Sequence, residues 1–181
     1  MTKWTPSVIA ITGQAGSGKT TIAKHLELEY NYVRVRFAEV LKDMLLALGL
    51  TEEEINGDLK EKPCSLLLGK TPRHAMQTLG IEWGRNLIHP DIWLHIWRVR
   101  TVQQLSLGHK VVCDDCRFIN EAKFIHTIQG SQIWQVKRTG LSTTLHVSET
   151  ELVKIKPDMI ICNYTTIEDL KNAVDRAMNR E

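Results

Sequence analysis

Residues Ser7–Leu26 read SVIAITGQAGSGKTTIAKHL, which is an apolar run followed by a glycine-rich turn and a helical pattern. A short, continuous apolar run of this kind is typical of a strand buried on both faces of a parallel sheet. Within the turn, the residues from Gly13 to Thr20 match G-x-x-x-x-G-K-[ST] without a mismatch, and the flanking strand and helix are the context that this motif requires. We therefore predict a phosphate-binding loop (P-loop) for a nucleoside triphosphate.

Each part of the predicted loop has a physical role toward a triphosphate. Glycines let backbone N–H groups close around phosphate oxygens, and the N-terminus of the following helix adds a favourable field. Lys19 neutralises the β- and γ-phosphates, and Thr20 offers its hydroxyl to Mg²⁺. Motif and context disfavour the alternative, a turn that only caps a helix. The predicted triphosphate-binding residues are Gly13, Ala15, Gly16, Ser17, Gly18, Lys19, Thr20 and Thr21.

Composition limits the remaining possibilities. With 181 residues, 43% of them hydrophobic, the chain has the size of one domain and can bury a core without disulfides. The net charge of +2, with both signs interspersed, indicates neither a nucleic-acid partner nor a membrane-binding patch. No run approaches the ~20 apolar residues of a membrane span. We expect a cytoplasmic protein, in the host cytoplasm if the source is viral, with its four cysteines reduced.

Hydrophobic periodicity predicts four more strands, in residues 31–38, 110–115, 131–138 and 157–163, with helices between them. This alternation predicts a doubly wound α/β domain with a mostly parallel five-stranded sheet flanked by helices. In the first helix, Ile22, Ala23, Leu26 and Leu28 lie near helical spacing. A helix is predicted to end near Gly49, and capping boxes are predicted at Thr51–Glu54 and Thr165–Glu168.

The second and third strands are separated by roughly seventy residues, far more than one crossover helix needs. We predict that this surplus, about 40–107, forms a helical flap on a single P-loop domain of residues 1–181. Thr71 as N-cap and Pro72 as first helical residue start one of its helices. Apolar residues on one stripe of that helix are predicted to be core: Met76, Leu79, Trp83 and Leu87.

An adjacent stripe of the same helix combines Arg73 and Gln77 with Gly80 and Gly84. Glycine costs about 1 kcal/mol relative to alanine inside a helix, so bare backbone here indicates a close neighbour. That neighbour is either a ligand or another helix, and the sequence leaves both open. Arg85 points elsewhere on an ideal helix.

Two carboxylates, Asp114 and Asp115, follow the apolar residues of the third strand. The carboxyl end of a parallel strand is where such sheets present ligand-binding residues. Either carboxylate could hold Mg²⁺ through water or accept hydrogen bonds from a sugar or base, and Arg117 could grip a phosphate. Cys113 and Cys116 form one C-x-x-C pair, which without a second pair is weak evidence for zinc, so we interpret both as ordinary reduced cysteines.

Several stretches together resemble the deoxynucleoside monophosphate kinases of bacteriophages, in the same order and over most of the chain: GQAGSGKTTIAKHL, FAEVLKDML, GKTPRHAMQTLGIEWGRNLIHPDIW, VVCDDCRFINEAKFI, HVSETE and ICNYTTIEDL. The P-loop is common to many families, whereas the T-P-R…Q-x-L-G…W-G-R and D-x-R-F-x-N-E-A stretches are more specific. The resemblance implies a nucleoside-monophosphate-kinase-like core, a flap that holds the monophosphate and a lid that closes over the triphosphate.

Residue by residue, the resemblance implies an acceptor-binding set of Arg73, Gln77, Trp83, Arg85, Asp115 and Arg117. It favours Asp115 over Asp114 as the functional carboxylate. Thr20 and Asp115 are the predicted metal-site residues, and which of the two aspartates assists Mg²⁺ stays open. Asn163 is implied on the triphosphate side, although NYTT lacks the glycine expected after it, which leaves the adenine contact open.

The lid is predicted over about 138–156, with a capping box at Ser148–Glu151. Arg138 at its start either contacts the transferring phosphoryl group or is a surface arginine. Lys19, Arg117 and Arg138 are therefore the predicted catalytic residues.

The implied reaction is transfer of the γ-phosphoryl group from ATP with Mg²⁺ to a deoxynucleoside 5′-monophosphate, in nucleotide supply for DNA synthesis. No N-K-x-D motif is present, which counts against a GTPase. A kinase of another small metabolite and a non-catalytic nucleotide-binding regulatory module are the alternatives. The predicted partners are small molecules only. The sequence does not fix the base, the sugar preference or the oligomeric state, for which a homodimer is one option.

Overall fold

The computed structural model describes residues 5–140, 151–152 and 154–179. Its centre is a five-stranded sheet in the order β2-β3-β1-β4-β5, with every neighbouring pair parallel. The strands are β1 (Val8–Thr12), β2 (Tyr32–Arg34), β3 (Lys110–Cys113), β4 (Ser131–Lys137) and β5 (Met159–Cys162). The predicted α/β class, the parallel sheet and all five strand positions are confirmed.

The described helices lie between the strands in chain order, except for the last, which follows β5. They are α1 (Lys19–Tyr30), α2 (Glu39–Ala47), α3 (Glu52–Asn56), α4 (Pro72–Thr78), α5 (Ile92–Ser106), α6 (Ile119–Ile125) and α7 (Ile167–Met178). A short 3-10 helix covers Asp58–Glu61, and a wider π-helical segment, Leu79–Ile88, continues α4. In the part of the chain described here, no helix has the length and apolar character needed to cross a bilayer.

Two compact units divide the chain: one is made of Met1–Arg36 and Arg98–Glu181, the other of Phe37–Trp97. In the first, β1 is the central strand and all five of its residues are buried. Ile22 and Leu26 of α1 pack against the sheet with the buried face of α7. Leu28, grouped with this face by its spacing, is 78% exposed, because it follows Leu26 by about 200° around the helix.

The second unit, Phe37–Trp97, has a core of its own around Leu45, Leu50 and Ile55. Here α2 ends at Ala47, and Gly49 has a φ of 100°, a conformation that glycine adopts without strain. The capping box at Thr51 is present, with the hydroxyl accepting from the Glu54 N–H. Both local predictions are confirmed.

The start of α7 lies one residue later than predicted. Thr166, not Thr165, is the N-cap, and its hydroxyl accepts from the Asp169 N–H. The sequence TTIED fits a capping box in either frame. The observed frame is the one whose helix buries Leu170, Val174 and Met178, which recur at i, i+4 and i+8.

Candidate functional site

The predicted P-loop connects the carboxyl end of β1 to α1, and its glycines are required by space as well as by conformation. A Cβ on Gly13 would lie 2.5 Å from the Val136 carbonyl oxygen, and φ is +142° there. At Gly18, with φ +107°, a Cβ would lie 2.7 Å from Asn163 Nδ2. Side chains at these two positions would force the loop open, so the sequence can form this tight turn only with glycine.

Lys19 and Thr20 begin α1 directly after the loop. Lys19 Nζ donates to the carbonyl oxygens of Gly13 and Gln14 at 2.7 and 2.6 Å, so its ammonium lies over the loop. The Thr20 hydroxyl donates to Asp114 Oδ2 at 3.0 Å. A cation, a hydroxyl and a carboxylate thus converge at the carboxyl ends of β1 and β3, where parallel sheets bind ligands.

The carboxylate that contacts Thr20 is Asp114, whereas the family resemblance favours its neighbour Asp115. Asp114 is 5% exposed and lies one residue beyond β3. Besides Thr20, it accepts a hydrogen bond at 2.9 Å from Arg36 Nε and lies 3.6 Å from Arg34 Nη1. Arg34 also pairs with Glu27 of α1. Burial of a carboxylate is costly unless such partners compensate for the lost hydration.

Asp115 lies beside the thiol of Cys113, whose Sγ donates to Asp115 Oδ1 at 3.1 Å. Burial, and then the Asp115 carboxylate, raises the pKa of Cys113 well above its usual value. Burial likewise raises the pKa of Cys116. Both thiols are therefore protonated at neutral pH, and a protonated thiol is a poor nucleophile and metal ligand. Over the described ranges, no three His, Cys, Asp or Glu side chains are grouped to hold a metal ion.

Two predicted residues from the carboxyl ends of β4 and β5 contact the P-loop itself. Arg138 Nη1 donates to the Gly16 carbonyl at 3.0 Å, and Asn163 Nδ2 donates to the Ser17 carbonyl at 2.8 Å. Arg138 is therefore placed at the phosphate-binding loop. Asn163 helps to fix the loop's backbone, a role that its place after an edge strand did not indicate.

Arg117 lies between β3 and α6, in a segment held by a buried acid. Glu121, only 2% exposed, accepts hydrogen bonds from the N–H groups of Arg117 and Phe118 at 2.8 and 3.1 Å. This carboxylate fixes the backbone from which the Arg117 side chain extends. Glu121 belongs to the D-x-R-F-x-N-E-A stretch, whose spacing does not indicate this role.

In the second unit, α4 begins as predicted: Pro72 is its first residue, and the Thr71 hydroxyl accepts from the His74 N–H. Arg73 and Gln77 lie one turn apart on α4 and therefore share a face. Arg73 Nε donates to Glu61 Oε1 at 2.6 Å, and the two side chains are 34% and 62% exposed. An anion that binds Arg73 must therefore compete with Glu61.

The predicted apolar stripe along this helix is wrong at Trp83 and Leu87, whereas Met76 does pack on the core of its unit. Trp83 is 40% and Leu87 76% exposed, whereas Gly80 and Gly84 are buried. The cause is the wider π-helical turn from Leu79, which breaks the 3.6-residue period that the prediction extrapolated.

Close packing explains Gly84, and a side chain also lies close to Gly80. A Cβ on Gly84 would overlap the indole ring of Trp93, and one on Gly80 would lie 3.3 Å from Leu41 Cδ1. Trp93 Nε1 donates to the Gly80 carbonyl at 2.7 Å. Of the two alternatives that the sequence left open, a protein neighbour is the one observed.

The other flap residues of the predicted acceptor set lie around this segment. The ring of Trp83 lies 6.1 Å from that of Trp93. Arg85 Nη1 donates to the Pro90 carbonyl at 2.9 Å, which ties it to the turn before α5. Most of the predicted lid, including Ser148 of its capping box, falls outside the described residues.

Comparison with known proteins assigns the chain to a family. The family model for deoxynucleotide monophosphate kinase matches residues 69–174, more than half of the chain. The protein named "Putative deoxynucleotide monophosphate kinase" of Acanthamoeba polyphaga mimivirus is 34% identical, over 92% of this chain and 93% of its own length.

Solved structures share the fold at low identity. A Thermus thermophilus crystal structure has a TM-score of 0.50 at 17% identity, covering 96% of this chain and 97% of its own. A "putative kinase" from Chloroflexus aurantiacus has a TM-score of 0.50 at 14% identity and covers 97% of both chains. The P-loop cluster and the family match agree, and the chain belongs to the deoxynucleotide monophosphate kinase family.

Proposed function

We propose that the first unit binds ATP with Mg²⁺ at the P-loop and that the chain transfers the γ-phosphoryl group to a deoxynucleoside 5′-monophosphate. The membership of the family makes the chain a nucleotide kinase that uses small-molecule nucleotides. The observation that carries the finer proposal is the cluster of Lys19, Thr20 and Asp114, in which the Thr20 hydroxyl lies 3.0 Å from the Asp114 carboxylate.

The donor set of this cluster fits Mg²⁺. Magnesium prefers oxygen ligands, keeps several waters and takes one or two protein oxygens beside nucleotide phosphates. Thr20 offers a hydroxyl oxygen and Asp114 a carboxylate oxygen at the same place. When bound, the ion would neutralise charge on the β- and γ-phosphates. Asp114 replaces Asp115 in this role, and Asp115 remains a candidate for the acceptor.

The chain's own residues supply positioning and positive charge, which is what phosphoryl transfer needs most. Backbone N–H groups of the P-loop hold the donor phosphates, and Lys19 can turn from its two carbonyl partners to them. We assign to Arg138, whose guanidinium donates to the Gly16 carbonyl, the stabilisation of charge on the transferring group. No protein nucleophile is required, because a phosphate oxygen of the acceptor attacks.

For the acceptor we propose the residues that the family resemblance implies, on the segment after β3 and on α4 with its continuation. Arg117 binds its phosphate and Asp115 its sugar or base, both from the segment after β3. From the flap, Arg73 and Gln77 of α4 contribute a cation and an amide on one face, with Trp83 and Arg85 on the following segment. The half-exposed indole of Trp83 offers a surface on which a base can stack.

Small-molecule nucleotides are the proposed partners, without a nucleic acid, and a homodimer remains one option for the assembly. Coupled detection of diphosphate formation, with Mg·ATP and each common deoxy- and ribonucleoside monophosphate, tests the proposal. We expect turnover on at least one deoxynucleotide, and near-complete loss with Lys19→Ala. Triphosphate binding without any diphosphate product would favour a regulatory module, and near-normal kcat in Lys19→Ala would overturn the P-loop assignment.

A further inference from the structure

Arg36 is a cation at the ligand-binding edge of the sheet that neither the motif nor the family resemblance singled out. It follows β2 by two residues, and its Nε donates to Asp114 Oδ1 at 2.9 Å. The other oxygen of that carboxylate accepts from the Thr20 hydroxyl at 3.0 Å. A single carboxylate therefore joins Arg36 to the residue that follows the P-loop lysine.

The two arginines beside Asp114 have different surroundings. The side chain of Arg34 is 11% exposed and is shared between Glu27 and Asp114. The side chain of Arg36 is 24% exposed, and among the described residues its partner is Asp114, bound through Nε. A guanidinium held by Nε still has the N–H groups of both terminal nitrogens, which can bind a phosphate bidentately. The Arg34 guanidinium is thus shared between two carboxylates, whereas Arg36 can bind an anion through its terminal nitrogens.

We propose that Arg36 binds the phosphate of the acceptor monophosphate, with Asp114 as the residue that orients it. This inference rests on the proposed function. The acceptor phosphate must approach the γ-phosphate held by Lys19 and Thr20. Arg36 is linked to the Thr20 hydroxyl through the carboxylate of Asp114, which accepts a hydrogen bond from each. Arg117 follows the adjacent strand at the same edge of the sheet. The phosphate dianion would then be met by two arginines from the ends of β2 and β3.

Arg36→Gln tests the inference, with Arg36→Lys as a charge-preserving variant and Arg98→Gln as a control. Arg98 is an exposed arginine of the same unit, stacked over the Phe124 ring. Arg36→Gln should raise the KM for the best deoxynucleotide by ~10–200-fold, the scale of one charge-assisted contact. The Kd of an ATP analogue without acceptor should stay within about threefold. Lysine should recover part of the loss, because it keeps the charge without the fork.

A phosphate-free probe separates binding of the phosphate from binding of the base. In equilibrium dialysis without ATP, Arg36→Gln should weaken the deoxynucleotide and leave the matching deoxynucleoside within about threefold of wild type. An unchanged KM in Arg36→Gln would overturn the inference. So would equal weakening of the deoxynucleotide and the deoxynucleoside, or equal weakening of the acceptor and the ATP analogue. If circular dichroism shows that Arg36→Gln is unfolded, the same measurements are made on Arg36→Lys and judged by the same criteria. A wild type inactive on every monophosphate would instead overturn the proposed function.

Discussion

Asp114 and Asp115 are adjacent in the chain and carry the same side chain, yet the structure gives them different partners. Asp114 accepts from Thr20 and Arg36, whereas Asp115 accepts from a thiol. Asp114→Asn should lower kcat/KM by at least ~10–200-fold and raise the Mg²⁺ concentration for half-maximal rate, because a charge-assisted contact is lost. Steady-state kinetics over a Mg²⁺ series measures both. A larger Mg²⁺ effect in Asp115→Asn would return the metal role to that residue.

Arg73 and Arg117 carry the next prediction. Both belong to the proposed acceptor set, so Arg73→Ala and Arg117→Ala should each raise the KM for the monophosphate ~10–200-fold. ATP affinity measured without acceptor should change little. Lysine at either position should recover only part of the lost monophosphate affinity, since an ammonium cannot make the forked contact of a guanidinium. If both alanine variants keep the wild-type KM, or weaken both substrates equally, the acceptor phosphate binds elsewhere.

Local sequence predicts the geometry that immediate neighbours determine, and it misses the contacts that strand pairing determines. The P-loop is continuous in the chain, so its spacing alone predicts its geometry. Arg36 meets Asp114 only because β2 lies beside β3, an adjacency that no local pattern contains. The choice between two consecutive aspartates likewise depends on which side chain faces α1.

Among the helices, the π-helical continuation of α4 depends on close packing at Gly84. A methyl group there would overlap the rigid indole of Trp93, whose Nε1 is fixed to Gly80. Gly84→Ala should destabilise the protein by ~1–3 kcal/mol through overpacking, despite the better helix propensity of alanine. Urea unfolding measures this change.

Gly80→Ala is the matched control for that variant. Its Cβ would meet only the flexible end of Leu41, at 3.3 Å, and alanine favours the helix by about 1 kcal/mol. Stability should therefore stay near wild type. Equal destabilisation by both substitutions would mean that contact with Trp93 is not what requires a glycine.

The same segment shows where periodicity stops being informative. Thr71 and Pro72 fix the start of α4 by local chemistry, and the prediction held there. From Leu79 the backbone widens, and an extrapolated 100° per residue assigns Trp83 and Leu87 to the wrong face. Two overlapping capping frames before α7 are a similar case, since only burial of its apolar face selects Thr166.

For the molecule as a whole, a polar cluster between α1 and α7 predicts how stability varies with pH. Tyr30 donates to Asp175 at 2.8 Å, and His25 lies 2.7 Å from the same oxygen. Burial, then the hydrogen bond and charge of Asp175, raises the pKa of Tyr30 to about 12 from 10.0. Because the folded pKa exceeds the unfolded one, this stabilisation is complete below about pH 10 and disappears as pH rises through about 12.

Tyr30→Phe tests this dependence. Urea unfolding of wild type should show stability falling from about pH 10 to 12, with a smaller fall in the variant, because its phenyl ring has no proton to lose. Burial also raises the pKa of Tyr32, so ionisation of Tyr32 causes part of the fall in stability that remains in the variant. Identical slopes in the two proteins would show that Tyr30 ionisation does not contribute.

The central place of β1 has a consequence for how the chain reaches its native state. Val8 pairs with Val111 on one side and with Ser131 on the other, so both partners of this strand lie about a hundred residues downstream. During synthesis, the apolar strand before the P-loop must wait until most of the chain has left the ribosome. Such non-local pairing slows folding and prolongs exposure to aggregation. Efficient expression should therefore depend on chaperones that shield this N-terminal segment during translation.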